Sequence, residues 1–164
     1  MRYIFDSSAL IYLGKIKLLS KVMLLEGNKF IPQSVYDEVI SIGIQRMEPE
    51  VGYIKELIDK KAILIKNPKV KIDGFQSLSL ADKDVLALAK ETSSIAIIDE
   101  IYARNVADSY GIEHHGTIYL ILKLLQKRII KKEEAVNSID NMIKLGFYLS
   151  TVKYKEILDV IKKM

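Results

Sequence analysis

The sequence predicts an α/β protein built on an open sheet whose strands are covered on both faces, and two stretches carry that expectation. Ile95 to Ile98 is a run of four apolar residues, too short for a buried helix, that stops abruptly at Asp99 and Glu100. Beyond it Ala103, Val106, Ala107 and Tyr110 recur at helical spacing, and Gly111 is placed to end that helix. The first residues repeat the order: Arg2 to Phe5 reads as a strand, Asp6 closes it, and Ser7 and Ser8 open an apolar segment from Ala9 to Leu13. In open α/β sheets ligands gather where strands end and helices begin, so Asp6, Asp99 and Glu100 fall at the default site. Asp6 and Asp99 also suit helix N-caps, and that structural explanation stands beside the functional one.

The remaining elements follow in order. Ile16 to Leu25 continues as helix, and Lys29 to Ile31 is a brief second strand ending at Pro32. In QSVYDEVISI, residues 33–42, Val35, Val39 and Ile42 share one helical face with Glu38 among them. An acid on an apolar stripe is costly unless it meets a cation or borders a solvated cleft. Ser34 and Asp37 have capping-box spacing, which explains Asp37 but leaves Glu38 as a candidate functional residue. Glu48 to Lys60 reads as helix, Ala62 to Ile65 as a third strand, and Asn67 to Ser77, with Pro68 and Gly74, as the loosest loop.

Leu78 to Glu91 is a strongly marked helix with Ser79 as its expected N-cap. Asp82 stands three residues on, again at capping-box spacing, yet it shares a face with Val85, Leu86 and Ala89. Asp84, aligned with Ala81 and Leu88, is its competitor, and both remain open. Past Gly111, Ile112 to His115 reads as a last strand, and Gly116 and Thr117 open a helix from Ile118 to Lys127. Two helices should follow, one burying Val136, Ile139 and Ile143, the other Ile157, Leu158 and Ile161. His114 and His115, adjacent on a strand, point to opposite faces and cannot chelate one ion together.

Composition narrows the class. A chain of 164 residues fits a single domain, 1–164, with the helices from about 131 packed on it. Cysteine is absent, which excludes a disulfide framework and thiolate metal sites. Neither a signal peptide nor an apolar run long enough to span a bilayer is evident, so a soluble, cytoplasmic protein with no membrane partner is expected. The net charge of +4 resides entirely in residues 127–164, which carry 9 basic and 5 acidic groups. Such a region can meet a polyanion, and solvated helical lysines explain it equally.

The order FDSSALI, SVYDEVI, LSLADKDVLALAKE, AIIDEIYARNVADSYGI resembles the PIN-domain nucleases segment by segment over about residues 2 to 160. GTIYLILKLLQKRII and KLGFYLSTVKYKEIL are similar to a prokaryotic subfamily related to the VapC-type toxins. The resemblance implies a three-layer α/β/α Rossmann-like fold with a central parallel sheet of four or five strands. It places the four acidic positions on Asp6, Glu38, Asp82 and Asp99, with Ser7 or Ser8 as the small polar residue after the first and Glu100 as an additional acid. Where most relatives have a small residue after the third acid this chain has Lys83 and then Asp84, which leaves the third position open between Asp82 and Asp84. It further implies Mg²⁺ or Mn²⁺ bound by the acids, hydrolysis of phosphodiester bonds in single-stranded RNA, a homodimer, and for many relatives a small antitoxin partner.

The residue types agree with that chemistry, because oxygen ligands without thiolates or paired histidines suit hard cations. A phosphoacceptor receiver domain wants an aspartate ending strand three, where this chain has Ile65 and Lys66. A nucleotide-binding module wants a glycine-rich phosphate loop, and the eight glycines are scattered. The non-enzymatic alternative is a PIN-like module that binds RNA or a partner without cutting.

Overall fold

Five parallel strands form the middle layer of the molecule, in a computed structural model that describes residues 1–164. They are β1 (Arg2–Phe5), β2 (Asn28–Ile31), β3 (Leu64–Ile65), β4 (Ile95–Ile97) and β5 (His114–His115), ordered β3-β2-β1-β4-β5. Tyr3, Ile4 and Phe5 of β1 and all of β4 are buried, as expected for central strands covered by helices on both faces. Phe5 lies opposite Ile97, and Ile4 opposite both Ala96 and Phe30.

Chain order runs outward from β1 in two directions, so the connections leave the sheet on opposite sides of the gap between β1 and β4. That gap is the topological switch point, where a crevice opens beyond the carboxyl ends of the strands. Asp6 and Asp99 are the residues that follow those two ends.

The helices are α1 (Ser7–Lys15), α2 (Leu19–Val22), α3 (Gln33–Tyr36), α4 (Ile42–Gln45), α5 (Val51–Asp59), α6 (Leu80–Thr92), α7 (Ile101–Ser109), α8 (Thr117–Gln126), α9 (Lys132–Lys144) and α10 (Thr151–Lys163). Ile139, Met142, Ile157 and Ile161 of the last two belong to the same buried apolar cluster as the sheet. No helix is long and apolar enough to cross a membrane.

Several sequence expectations are corrected here. The helix expected from Ile16 to Leu25 shrinks to α2, because Lys17 takes a left-handed turn at φ 57° that breaks it from α1. The helix expected from Glu48 begins at Val51, and β3 is only two residues long with both side chains exposed. In α9 the buried residues are Ala135, Ser138, Ile139 and Met142, Val136 is half-buried against the same core, and Ile143, expected inward, is exposed.

The most consequential correction is in residues 33–45. Between α3 and α4 the backbone widens into a π turn over Asp37–Ser41. The extra residue rotates everything after it, so Val35, Val39 and Ile40 are buried while Ile42 is 39% exposed. Gly43 takes over the inward position, where a Cβ would come within 2.5 Å of a Val51 methyl. Ser34 and Asp37 form no capping box: Ser34 turns to Asp84 and Asp37 accepts from the Gln33 amide.

Candidate active site

Asp6 ends β1 and caps α1, accepting from Ala9 N–H at 2.7 Å. The cap explanation is therefore correct for Asp6, and it does not exhaust the residue. The carboxyl group is buried, with 3% of the residue exposed, and its second oxygen accepts only the Asp99 N–H at 3.3 Å. No cation lies against it. Burial pushes its pKa up to about 8; the Ala9 hydrogen bond opposes the rise, and the charges of Asp99 and Asp82 add to it.

Asp99 is not a cap. Glu100 caps α7 by accepting from Ala103 N–H at 2.6 Å, which explains that acid structurally and leaves Asp99 free to turn toward the crevice. Its oxygens accept from Thr117 N–H at 2.9 Å and from the Thr117 hydroxyl. Thr117 is fully buried at the first turn of α8, so Asp99 is held by a helix N-terminus that favours negative charge. Arg104 stands beside it, with Nη2 3.5 Å from Asp99 Oδ1 and Nε donating to the Ile98 carbonyl at 2.7 Å. It is the one cation within 4 Å of any of these carboxylates.

Glu38 projects from the π turn and accepts from the Ser7 hydroxyl at 2.5 Å, which ties α1 to the widened helix. No lysine pairs with it, so a salt bridge does not account for its position. Ser8 makes no such side-chain contact, so of the two serines it is Ser7 that meets an acid. Asp82 is locked in a capping box with Ser79, accepting from the Ser79 hydroxyl at 2.8 Å, while its charge still reaches Asp6. Asp84 accepts from the Ser34 hydroxyl at 2.6 Å and so ties α6 to α3.

The structure thus brings Asp6, Asp99 and Asp82 into one electrostatic neighbourhood at the switch point and links Glu38 to it through Ser7. No three acidic or histidine side chains converge closely enough to enclose a metal ion. The donor chemistry nevertheless fits Mg²⁺, which keeps several waters and takes one or two carboxylates rather than a full protein cage. His114 pairs with Asp108 at 2.9 Å, and His115 stacks on Tyr119 at 3.9 Å; both are engaged away from the acids. An open cleft of about 640 Å³ lies elsewhere, at the far end of α1 beside Lys15, Glu50 and Tyr53, and includes none of these acids.

Sequence reasoning missed Arg104, Gly116 and Thr117. The available signal was the GT pair opening α8: a Cβ at Gly116 would overlap Arg104 Nη2 and come within 2.7 Å of Asp99 Oδ1.

Comparison with known proteins agrees with this architecture. No curated protein matches the sequence. A PilT N-terminus domain protein from the hyperthermophilic archaeon Sulfolobus solfataricus P2 is similar in structure, with a TM-score of 0.55 and 15% identity over 76% of this chain and 94% of that one. At that identity the likeness speaks for the fold alone. The family model described as PIN domain matches residues 2–163, and a match over nearly the whole sequence reaches beyond fold. The chain therefore belongs to the PIN-domain family, whose fold is of the nuclease type.

Proposed function

We propose that this chain is a Mg²⁺- or Mn²⁺-dependent endoribonuclease hydrolysing phosphodiester bonds of single-stranded RNA in the cytoplasm. The observation that carries the proposal is the Asp6 carboxyl group, buried without a cation and facing further acids from β4 and α6. A fold tolerates that arrangement at a cost which a bound divalent cation offsets. Asp6 and Asp99 would hold the ion, with Glu38 and Asp82 completing the shell or orienting water. A bound ion supplies Lewis-acid stabilisation of phosphate charge and a water of lowered pKa.

The chain's own residues do the positioning. Thr117 fixes both Asp99 oxygens, and Ser7 holds Glu38 through its hydroxyl. Burial, with the charges of Asp99 and Asp82 adding to it, raises the Asp6 pKa to about 8, which favours its protonated form, so holding an ion would require the group to lose that proton. The resemblance of residues 116–130 and 144–158 to VapC-related sequences supports a toxin role, with a homodimer as the acting form and a small antitoxin as its partner.

A second reading, an RNA- or protein-binding module that does not cut, is favoured by one fact: both candidates for the third acid already serve structural bonds. Cleavage of a generic single-stranded RNA in Mg²⁺, Mn²⁺ and chelator separates the two. Metal-dependent cutting supports the nuclease, and its absence at high enzyme concentration supports the binding module. Within the nuclease, Asp82→Asn should slow cleavage more than Asp84→Asn. If Asp82 is only a cap, its variant keeps activity and loses about 0.5–2 kcal/mol of stability.

A further inference from the structure

We infer that Arg104 is the phosphate-anchoring residue of this site, gripping a non-bridging oxygen of the RNA backbone beside the acids; this rests on the ribonuclease reading. The side chain rises from the first turns of α7 and folds back toward the helix N-terminus, as long helical side chains do. Its Nε is spent on the Ile98 carbonyl at 2.7 Å, which fixes the plane of the guanidinium. The contact to Asp99 at 3.5 Å is at the limit of a hydrogen bond, and Nη1 donates to nothing in the protein. With 36% of the side chain exposed, the outer edge of the fork faces solvent next to Asp99.

A purely structural arginine has no need of that geometry. Side-on closure on Asp99 through Nε and Nη2 would give a short bidentate pair, and the Ile98 carbonyl takes the Nε donor that such a pair needs. A site made of Asp6, Asp99, Asp82 and Glu38 repels a polyanion, and Arg104 is the cation standing against it. The planar fork is the shape that matches phosphate. Gly116 supports the assignment independently, since any side chain there would occupy the place of Nη2. The space is kept for the guanidinium by the absence of a Cβ on the neighbouring helix.

The test compares wild type, Arg104→Gln and Arg104→Lys by three measurements. These are steady-state cleavage of single-stranded RNA in Mn²⁺, anisotropy of a labelled single-stranded RNA in Ca²⁺ across a salt series, and Mn²⁺ affinity without RNA by EPR of the free ion. Arg104→Gln should raise KM about tenfold or more, as loss of a charge-assisted hydrogen bond does. It should lower the salt slope of RNA binding by about 0.7, one phosphate's worth of counterion release. Mn²⁺ affinity should hold or improve, because a neighbouring cation is gone, and Arg104→Lys should fall between. Arg104→Met, which keeps the aliphatic stem without the guanidinium, provides a second route to the KM effect if Arg104→Gln does not fold.

An unchanged KM and salt slope overturns the inference. So does a variant that loses Mn²⁺ affinity and kcat with KM held, which would make Arg104 only a positioner of Asp99. Wild type that binds RNA with an Arg104-dependent slope but never cuts it would support the anchor and remove the nuclease reading. Wild type that neither binds nor cuts RNA overturns both.

Discussion

Two buried ionisable groups sit at opposite ends of the sheet and are treated differently by the fold. Lys29, at the start of β2, is 4% exposed, and Asp6, at the end of β1, is 3% exposed. Lys29 donates to the carbonyls of Met23 and Leu25, both in the turn that immediately precedes it. Those are carbonyls left open where α2 ends, so the ammonium finds its acceptors in its own neighbourhood, while burial lowers its pKa. Asp6 receives two backbone N–H groups, but the charges around it are acids brought from β4 and α6. A buried charge with local partners is part of the scaffold. A buried acid group surrounded by charges of its own kind, assembled from distant segments, is the environment in which functional sites shift a pKa.

The pH dependence of the metal-free protein should break this symmetry most strongly. The folded pKa of Asp6 is raised to about 8 from an ordinary 3.8. A raised acid favours the fold below its unfolded pKa, so this contribution is complete below about pH 4 and is lost as pH rises toward 8. In EDTA the stability should decline across that window, by several kcal/mol at most, and the melting temperature should fall with it. Replacing Asp6 and Asp99 together by Asn should flatten the decline and raise stability at pH 7. Mn²⁺ at about 100 times its dissociation constant should stabilise wild type by roughly 2.7 kcal/mol and the double variant not at all. Equal shifts for both proteins would mean the acids form no metal site.

Next in size is Asp99→Asn, which removes ligand charge at constant volume. Cleavage should fall at least about 10²-fold, roughly 2.7 kcal/mol in barrier, while the melting temperature in EDTA stays or rises. Full activity in this variant would sink the assignment.

Lys29→Met sharpens the contrast from the other end. It leaves the Leu25 and Met23 carbonyls without their donor and should cost about 1–3 kcal/mol of stability. Cleavage per folded molecule should be unchanged, and a large loss of kcat would show that Lys29 communicates with the site. Smallest of all, His114→Ala and His115→Ala should each keep most activity, since one pairs with Asp108 and the other stacks on Tyr119. An inactive variant of either would mean that the chemistry uses a base outside the four acids.

The elements at the switch point were readable because their signals are local. IAII followed by two acids, and RYIF followed by Asp6, need only the contrast between an apolar run and a charged stop. The cap of α6 at Ser79 and the stop at Gly111, with φ 62°, were readable for the same reason. What failed was periodicity across irregular backbone. The π turn at Asp37–Ser41 adds a residue that no 3.6-residue pattern anticipates, so the pattern points Ile42 inward where Gly43 stands. The left-handed Lys17 has no glycine to announce it.

Taken alone, the sequence determined the fold class, the strand order along the chain and which acids end strands, since each depends on a few consecutive residues. It could not say which acid caps a helix and which is free, because Asp99 and Glu100 are equally plausible caps until α7 sets its axis. The tertiary structure decided that, and it also decided that Asp99 is held by Thr117 and approached by Arg104. Those contacts depend on β4 and β5 lying side by side, with α8 starting at Gly116 where no Cβ stands in the way. Distance along the chain carries no information about such a meeting; only packing of the sheet and its helices creates it.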